Sequence, residues 1–569
     1  MNSYQPRTDE MMFLLQQVLQ GSAQLQTLAP HAETDAELMQ QVVEEAGKFV
    51  GSVVAPLNRD GDEIGARWHD GQVTMPPGFR DAYQAFWQAG WGSLCSQTED
   101  GGQGLPAVLD TLLYEMLSAA NHGWTMAPGL LHGAYECLRH HGSAALRQTY
   151  LPKLATGEWL ATMCLTEPHA GSDLGLVRTR AVPLPDGRYA LSGTKIFISG
   201  GEHDLSDNIV HLVLARLPDS PPGPKGLSLF LVPKFYEDGQ RSAVFCDRIE
   251  EKMGLHGSPT CVMRFDEAPA WLVGEVGKGL GAMFIMMNAA RLHVAMQGIG
   301  LLDAAWQKAD AYARERRQMR APGKGRSAAE ADLIIEHPAV QRILDTQRAW
   351  VDGGRVLAYQ TAIELDRATH GEGPVQAAAQ TWCALITPVL KSVCTDQAFH
   401  GGSDCLQVFG GHGYVREWGI EQHIRDARVA MIYEGTNEIQ AIDLLCRKVM
   451  ADGGTGLMAL LDRLEADLPA QAVQRSASLA RLSTLRAVTR QVLEAAKQDA
   501  TLPYRVADDF LRAVALVLLD WAWQRIAAQT AEADPARWQA PHQALRHWVL
   551  PEFQMRTFII VQQCTVRAA

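Results

Sequence analysis

The sequence predicts a mainly helical α+β protein, because its hydrophobic period changes twice along the chain. Helical spacing fills the first 160 residues, β-branched and aromatic runs follow from about Trp159, and helical spacing returns after Gly281. That spacing persists to about Met450, and a further helical block follows. We therefore expect an N-terminal extension (1–36), an α-helical domain (37–160), a middle β domain (161–280), a helical bundle (281–450) and a C-terminal helical extension (451–569).

Composition narrows the class of protein. With 47% hydrophobic and 20% charged residues, the chain is typical of a globular protein with buried cores. Its net charge of −13 argues against a protein that follows nucleic-acid phosphates. The ten cysteines show no C-x-x-C or paired spacing, so neither a zinc site nor a disulfide framework is predicted.

Targeting signals are not evident either. The first 20 residues lack a secretory cleavage pattern. The longest apolar run near the C-terminus, Ala513 to Leu519, is stopped by Asp520 and is too short to span a bilayer. We expect that run to form a core helix and the protein to be cytoplasmic, without a transmembrane segment and with no metal site.

The first helical domain is predicted from periodic stretches separated by Gly/Pro-rich loops. A glycine cluster at Glu99 to Pro106 follows no strand, so it does not match a dinucleotide-binding fingerprint. The periodic stretches are Glu37 to Phe49, Phe79 to Ala89, Leu109 to Ala120 and Tyr135 to Tyr150.

The β domain is predicted from short runs separated by turn signals such as Asp186-Gly187, a spacing that indicates a small sandwich or barrel. The runs are Arg188 to Ser199, Asn208 to Leu217, Gly226 to Pro233 and Thr260 to Phe265. An antiparallel bundle follows from the long periodic stretches Met286 to Arg317, Ala339 to Arg367 and Val375 to Phe399, with a surface loop at Ala321 to Asp332.

The C-terminal extension is close to neutral. Residues 451–569 contain 13 Lys/Arg and 12 Asp/Glu, and no basic cluster suggests a lipid or nucleic-acid surface. A peripheral contact with a membrane stays open, as does a role in covering part of an oligomer.

The stretch Met431 to Val449 (MIYEGTNEIQAIDLLCRKV) carries the most distinctive chemistry. Glu434 stands before a Gly-Thr-Asn turn that opens an amphipathic helix, and Thr436 or Asn437 is the expected cap. Free N–H groups at a helix start suit an oxyanion, and the carboxylate can take a proton. This pairing suits removal of a proton alpha to a carbonyl, although an ordinary solvated Glu is also common at this position.

Four other motifs accompany that stretch in a fixed order: CLTEPHAGSDL from Cys164, TKIFIS from Thr194, KMGLHGSPT from Lys252 and FGGHGY from Phe409. The set resembles the acyl-CoA dehydrogenase family, over roughly residues 40 to 450. The opening segment, EPHAGSDLGLVRTRA and the C-terminal block resemble the larger subgroup that includes methylthiopropanoyl-CoA dehydrogenases. The resemblance implies a helical domain, a middle β-barrel or sandwich and a four-helix bundle, plus an extra helical domain.

The resemblance also implies roles for individual residues. Glu434 becomes the base that removes the alpha proton, while the beta hydrogen leaves as hydride to N5 of FAD. Some family members place the base near the start of the first bundle helix, but Met286 to Val294 contains no carboxylate here. Arg291 matches an arginine that positions the CoA chain, and Tyr433 and Gly435 are assigned to the substrate. Tyr433 is equally compatible with simple packing at the helix entry.

The FAD assignments fall into two sets. Residues matching the flavin and pyrophosphate contacts are Cys164, Thr166, Gly171, Ser172, Phe197, Ser199 and Thr436. Phe197 stands where the family often has Trp, which keeps an apolar face but loses an N–H donor. The set matching contacts across a subunit interface comprises Arg316, Gln318, Gln407, Gly410 and Gly411. Met319 replaces the usual aromatic residue there.

These assignments imply a homodimer that oxidises an acyl-CoA in β-oxidation and passes electrons to electron-transfer flavoprotein. Two alternatives stay open: an acyl-CoA oxidase that uses oxygen, and a non-catalytic binding protein on the same fold. The sequence does not set the acyl chain, so 3-methylthiopropanoyl-CoA and short or medium fatty acyl-CoA are all compatible.

Overall fold

The chain folds into two compact units in the computed structural model, which describes residues 4–323, 329–470, 475–530 and 535–565. Unit 1 combines Met1–Gly47, Pro106–Ala119 and Val294–Ala569, and unit 2 combines Lys48–Leu105 and Ala120–His293. Positions 324–328 of the predicted surface loop, and parts of the predicted C-terminal block, lie outside the described residues. The division into five domains stays a prediction, because the contacts group stretches that are far apart in sequence.

Helices dominate, as the sequence predicts. Within the described ranges they are α1 (Thr8–Met12), α2 (Gly21–Leu25), α3 (Ala36–Phe49), α4 (Asn58–Ile64), α5 (Phe79–Gln88), α6 (Ala107–Ala120), α7 (His122–Thr125), α8 (Leu131–His141), α9 (Ala144–Thr156), α10 (Gly279–Glu315), α11 (Pro338–His370), α12 (Gly373–Val408), α13 (Glu421–Arg428), α14 (Asn437–Ile442), α15 (Thr455–Ala466), α16 (Arg475–Ala495), α17 (Leu502–Gln529), α18 (Pro535–Ala544) and α19 (Glu552–Thr565). Wider π-helical turns continue α1, α3, α14 and α18 over Phe13–Val18, Val50–Val54, Asp443–Val449 and Leu545–Val549.

The strands belong to unit 2. They are β1 (Arg67–His69), β2 (Gln72–Thr74), β3 (Leu160–Cys164), β4 (Arg180–Pro183), β5 (Tyr189–Ser199), β6 (Ile209–Arg216), β7 (Leu227–Pro233), β8 (Val244–Ile249) and β9 (Thr260–Val273). β1 and β2 form a separate hairpin. In the larger sheet, the pairings β6–β4, β4–β5, β5–β9, β9–β7 and β7–β6 close into a ring, with β3 added to β6 and β8 added to β9. The closed ring agrees with the barrel alternative of the predicted sandwich or barrel.

One predicted helix is wrong. The stretch Tyr135 to Tyr150 is two helices, α8 and α9, separated at Gly142 and Ser143. Gly142 is extended, and the Ser143 hydroxyl accepts a hydrogen bond from the N–H of Leu146 at 3.3 Å, which starts a new helix. Apolar spacing continued across the break, so the sequence pattern hid a serine cap. Strands β3, β4 and β8 were also not predicted as separate runs, because they have only four to six residues.

The C-terminal helix α17 packs tightly against α11 within unit 1. An ideal Cβ placed on Gly353 of α11 would lie 2.3 Å from Cδ1 of Leu519, so glycine permits this close approach. The indole N–H of Trp523 donates to the carbonyl oxygen of Ala349 at 2.8 Å. The run Ala513 to Leu519 is at most 3% exposed, which confirms it as part of a core helix.

One described helix, α10, is long and apolar enough to cross a membrane by length and composition alone. However, 61% of its most apolar window is buried inside the protein. The core helix of a soluble protein passes the same test, so this feature is weak support for a membrane span.

Ionic groups are buried among the helices of unit 1. Nη2 of Arg355 on α11 lies 2.6 Å from Glu115 Oε1 on α6 and 3.0 Å from Asp303 Oδ2 on α10, and all three side chains are fully buried. The hydroxyl of Tyr359 donates to Glu115 Oε2 at 2.8 Å. Burial alone would lower the pKa of Arg355, but Glu115 and Asp303 raise it well above its usual value. We call Glu115, Asp303, Arg355 and Tyr359 the buried ion network.

The N-terminal extension and the C-terminal helices contact each other inside unit 1. The guanidinium of Arg537 donates to both carboxylate oxygens of Glu10, at 3.1 and 2.9 Å. Nη2 of Arg525 donates to the carbonyl oxygen of Val18 at 3.0 Å. Between these contacts the extension buries apolar side chains that include Met11 and Leu14.

Candidate active site

Glu434 lies in a sharp turn immediately before α14. It adopts a φ of +54°, and Gly435 follows at +85°. Thr436 is the helix cap, since its hydroxyl oxygen accepts a hydrogen bond from the N–H of Ile439 at 3.3 Å. We call residues 433–436 the Glu434 turn.

The backbone of Glu434 is strained. For residues other than glycine, the left-handed region costs about 1 to 2 kcal/mol because Cβ crowds the following carbonyl oxygen. Within the described part of the chain seven non-glycine residues adopt positive φ, and three of them, Phe197, Met319 and Glu434, fall in the motifs that the sequence analysis assigned to cofactor or substrate. Strain of this kind concentrates at functional sites.

A buried lysine holds the Glu434 turn in place. Nζ of Lys391, on α12, donates to the carbonyl oxygen of Gly435 at 2.8 Å and to Oδ1 of Asn437 at 2.9 Å, and this side chain is fully buried. Nε2 of Gln440 donates to the carbonyl oxygen of Glu434 at 3.0 Å. Two side chains therefore fix the two peptide groups that follow the strained residue, and Asn437 holds Lys391 in place.

Two tyrosines lie close to the Glu434 carboxylate. The hydroxyl of Tyr433 donates to Oε1 of Gln297 on α10, whose Nε2 donates to the hydroxyl oxygen of Tyr114 on α6 at 3.3 Å. Burial is the main cause that raises the pKa of both phenols well above the usual value, and the charge on Glu434 adds to the shift. Both tyrosines therefore stay protonated, which leaves the Glu434 carboxylate as the proton acceptor of this arrangement.

The loop after β3 in unit 2 brings several predicted flavin residues to β5. The carbonyl oxygen of Thr166 accepts from the N–H of Ile196 at 2.9 Å. A buried ion pair of 2.9 Å between Lys195 Nζ and Glu167 Oε1 ties the same loop to the strand. Cys164 is fully buried, and its pKa is raised to about 11 by burial, so its thiol is not a reactive nucleophile.

Phe197 and Ser199 lie at the end of β5. The pairing of β5 with β9 shifts between Lys195 and Ile198, and Phe197 at this bulge adopts a φ of +60°. A bulge re-aims a side chain, and the Phe197 ring is 59% exposed. Ser199, two residues on, pairs with Thr260 of β9 and is half-buried.

The glycine and serine of the same loop are open to solvent. Gly171 and Ser172 are both exposed, and a Cβ built on Gly171 would meet nothing within 4 Å. Exposed backbone of this kind is accessible to a ligand. Arg291, also in unit 2, is by contrast 7% exposed, and its Nη1 donates to Oδ1 of Asn288 at 3.4 Å.

The predicted cross-subunit residues lie together at one end of unit 1. Arg316 and Gln318 follow α10, whose last turn contains Tyr312. The Tyr312 ring stacks on Phe409 at a centroid distance of 4.3 Å, and its hydroxyl lies 2.9 Å from Nδ1 of His412. Gln407, Gly410 and Gly411 belong to this same group, and all five assigned residues are exposed.

These residues fit the phosphates and adenosine of FAD by their chemistry. Arg316 supplies a guanidinium, Gln318 and Gln407 supply amides, and a Cβ on Gly410 or Gly411 would meet nothing within 4 Å. Met319 is 78% exposed beside them. Thr436, by contrast, already uses its hydroxyl oxygen as the cap of α14.

Sequence reasoning missed Lys391, Gln440 and Asn437 as supports of the turn. One signal was present, because Lys391 interrupts the apolar run ITPVLKSVC on one helix. A lysine inside a buried helical stretch needs a polar partner, and here the partner is the turn. Tyr114 and Gln297 gave no such signal, since they come from helices far away in sequence.

The sequence of this chain matches known proteins over most of its length. Three family models match consecutive stretches: the acyl-CoA dehydrogenase N-terminal domain at residues 36–158, the middle domain at 162–268 and the C-terminal domain at 277–448. A 3-methylmercaptopropionyl-CoA dehydrogenase from Ruegeria pomeroyi is 42% identical over 549 residues, which cover 94% of this chain and 92% of the relative.

Two further proteins resemble the full chain. The broad-specificity linear acyl-CoA dehydrogenase FadE5 from Mycobacterium tuberculosis is 33% identical over 571 residues, 94% of this chain and 91% of the relative. The solved structure of an acyl-CoA dehydrogenase complexed with FAD from Bacillus anthracis shares the fold, with a TM-score of 0.76 and 21% identity over 94% of this chain and 89% of that one.

Proposed function

Because this chain belongs to the acyl-CoA dehydrogenase family, we propose that it converts an acyl-CoA thioester to the trans-2-enoyl-CoA with FAD as the bound cofactor. The observation that carries the proposal is the Glu434 turn: a carboxylate on a strained, tightly held backbone beside two neutral tyrosines. FAD, when bound, accepts the beta hydrogen of the substrate together with its electron pair.

Glu434 is the general base of this reaction. Its carboxylate takes the alpha proton, and negative charge develops on the thioester oxygen as the proton leaves. The backbone N–H of Glu434 is the donor proposed for that oxygen, because an N–H aimed at developing charge stabilises the transition state more than the ground state. Lys391 and Gln440 hold the two peptide groups that follow Glu434.

The cofactor is proposed to be held by two sets of residues. Thr166, Gly171, Ser172, Phe197 and Ser199, with the backbone of Cys164, form the set in unit 2, and Phe197 offers an exposed apolar ring to a planar ligand. The set in unit 1 consists of Arg316, Gln318, Gln407, Gly410 and Gly411, with Thr436 at the start of α14. The FAD-bound fold relative supports this assignment.

The substrate is proposed to be 3-methylthiopropanoyl-CoA, on the strength of the 42% identical relative of that specificity. Short or medium fatty acyl-CoA is the alternative, which the broad-specificity relative supports. Tyr433 and Gly435 lie beside the base and Arg291 lies at the position matched to the CoA chain. Electron-transfer flavoprotein is the proposed acceptor in the cytoplasm.

A homodimer is proposed because the residues assigned to a partner's FAD are all exposed. Met319 at 78%, Tyr414 at 90% and Val415 at 47% add apolar surface to the same unit. Sedimentation analysis of the FAD-bound protein should give twice the mass of one chain. A monomer that retains FAD would contradict this arrangement.

The proposed reaction is tested by mixing the purified yellow protein anaerobically with a panel of acyl-CoA thioesters and following loss of flavin absorbance. We expect bleaching in one turnover, fastest with 3-methylthiopropanoyl-CoA, and no bleaching with Glu434→Gln. A protein that binds no FAD, or a Glu434→Gln variant that bleaches at the normal rate, would refute the proposal.

The same panel of acyl-CoA thioesters, tested also in air, distinguishes the alternative functions. Peroxide formed in air in proportion to substrate consumed, without another acceptor, would identify an oxidase. Binding of acyl-CoA or DNA without any bleaching would identify a non-catalytic binding protein.

A further inference from the structure

Three side chains of the kinds that bind transition metals meet in unit 1, away from the Glu434 turn. His31 belongs to the short turn Ala29–His31 after α2, while Asp366 and His370 are four residues apart on α11 and so share one face of that helix. A ligand atom from each lies within 4.8 Å of the other two. The fold thus brings together residues that are 335 positions apart in sequence.

The distance between His31 and Asp366 fits a shared ion better than a direct hydrogen bond. His31 Nε2 and Asp366 Oδ1 are 3.6 Å apart, beyond the range of about 2.7 to 3.2 Å for N–H···O hydrogen bonds. Two ligands of tetrahedral zinc, with bonds of about 2.0 Å, are separated by about 3.3 Å. The His370 ligand atom lies within 4.8 Å of the other two, a wider limit than that separation.

His31 is the strongest argument for a ligand. Its side chain is 3% exposed, yet neither ring nitrogen has a hydrogen-bond partner among the described residues. Buried polar groups in proteins are nearly always hydrogen-bonded or bound to an ion. The His370 ring meets it edge to face at a centroid distance of 5.5 Å, so both imidazoles border the same space.

Asp366 is already oriented for such a role. Its Oδ2 accepts a hydrogen bond from the N–H of Ala107, the first residue of α6, at 3.0 Å, which leaves Oδ1 towards His31. Ligands of metal sites are commonly fixed by a second hydrogen bond in this way. Asp366 and His370 also lie in the last turns of α11, where the helix dipole favours a cation.

We propose that His31, Asp366 and His370 form a binding site for a divalent transition metal of the zinc type, with solvent completing its coordination. Two imidazoles and one carboxylate suit zinc, whereas magnesium and calcium prefer oxygen ligands. The ion would join the N-terminal segment to α11 and, through Ala107, to α6. No local sequence motif reveals the site, because only Asp366 and His370 are near each other in the chain.

The test uses the full-length FAD-bound protein, stripped with a chelator and then titrated with zinc chloride. We expect the wild type to bind one equivalent of Zn²⁺ more than either His31→Ala or His370→Ala, measured by metal analysis after gel filtration. At a hundredfold excess over Kd, Zn²⁺ should raise the Tm of the wild type by about 2 °C or more. Magnesium chloride should produce neither effect.

A matched control is available on α12. His400 Nε2 lies 3.6 Å from Asp396 Oδ1. This distance equals the one between His31 and Asp366, and the four-residue spacing equals that of Asp366 and His370. However, His400 lies on an exposed surface. His400→Ala should therefore bind zinc like the wild type. Equal zinc content and equal Tm response in wild type, His370→Ala and His31→Ala would overturn the proposal and leave an ordinary ion pair. If His31→Ala fails to fold, the comparison of the wild type with a variant of the half-buried His370, His370→Ala, still tests the proposal.

Discussion

Glu115 and Glu434, two glutamates of unit 1, differ sharply in their surroundings. Glu115 is fully buried and receives hydrogen bonds from Arg355 and Tyr359. Glu434 is half-buried, stands on a strained backbone, and faces tyrosines that its charge makes harder to ionise. Burial raises the pKa of Glu115, and the charge and hydrogen bond of Arg355 oppose that shift. The difference therefore separates a carboxylate that supports the fold from one that is available for chemistry.

The largest expected effect is the loss of kcat on substitution of Glu434. Glu434→Gln should lower kcat by about a thousandfold or more, because loss of a positioned general base typically costs 10² to 10⁴. Its Tm should stay close to that of the wild type. The control is Glu372→Gln, an exposed carboxylate immediately before α12, and its kcat should change less than about twofold. Stopped-flow flavin reduction measures both; equal losses in the two variants would remove Glu434 from the role of base.

Glu115→Gln should lower the stability of the protein and leave its turnover unchanged. Breaking one partner of a buried ion pair leaves Arg355 poorly compensated and should cost about 3 to 5 kcal/mol in the free energy of unfolding. Turnover per bound flavin should be retained in the protein that folds. Urea denaturation followed by tryptophan fluorescence gives the stability difference. Glu63→Gln, which breaks an exposed contact to Arg59 of 2.9 Å, should change stability by less than about 0.5 kcal/mol.

Lys391 tests whether support of the turn matters for chemistry. Lys391→Met removes the donor to the Gly435 carbonyl oxygen while keeping the aliphatic stem, and kcat/KM should fall about 10- to 100-fold through misplacement of the base. Lys448→Met is a suitable control, because Lys448 donates to the carbonyl oxygen of Ala384, away from the turn. If KM for the acyl-CoA rose with no change in kcat, Lys391 would be acting on substrate binding instead.

Asp345 on α11 should show a pH-dependent effect on stability. Burial, followed by the charge of Asp310, raises the pKa of Asp345 to about 6. A raised carboxyl pKa means that the folded state prefers the neutral form, so this stabilisation is complete below pH 4 and is lost as pH rises through about 6. Asp345→Asn should therefore be more stable than wild type at pH 7.5, by about 1 kcal/mol after allowance for solvent screening.

Denaturant titrations at pH 4.5 and pH 7.5 measure this difference. The advantage of Asp345→Asn should shrink at the lower pH, where the wild-type carboxyl becomes neutral in the folded state. An advantage that grows towards acid would contradict the proposed direction of the shift.

The smallest expected effect concerns the strain at Glu434. Both Glu434→Ala and Glu434→Gly lack the base, but only glycine adopts a φ of +54° without crowding. The glycine variant should be more stable than the alanine variant by about 0.5 to 1 kcal/mol. Equal stability, measured in urea, would mean that the turn relaxes when the carboxylate is removed.

Some elements of the fold could be predicted from the sequence, and others could not. The order of helices, barrel and bundle was predicted, because hydrophobic period is a local property that each element carries in its own residues. Tyr135 to Tyr150 was wrong because Ser143 starts a new helix without changing that period. Short strands such as β8 carry too few residues to establish a period at all.

The candidate site likewise contains residues that the sequence predicts and residues that it does not. Glu434, Gly435 and Thr436 were found together because one turn contains them. Lys391 reaches that turn from a position 44 residues earlier, and Gln297 reaches Tyr433 from 136 residues earlier. Contacts of that range depend on how helices pack, and one sequence alone gives no such geometry. The π-helical continuation of α14 was likewise invisible, since its spacing differs little from that of an α-helix.

The contact between Glu10 and Arg537 also sets an order of events during synthesis. Unit 1 is built from three stretches of chain, so the contact of Glu10 with Arg537 cannot form until a partner 527 residues later has been made. At about 5 to 20 residues per second, that interval is about half a minute to two minutes. The turn Phe13–Val18, which includes the buried Leu14, packs against α11 and α17, so it lacks these partners when Lys48–Leu105 and Ala120–His293 are already complete. The nascent chain therefore carries an apolar segment without its packing partners until the later helices of unit 1 have been made, and this interval is the period of greatest risk of aggregation.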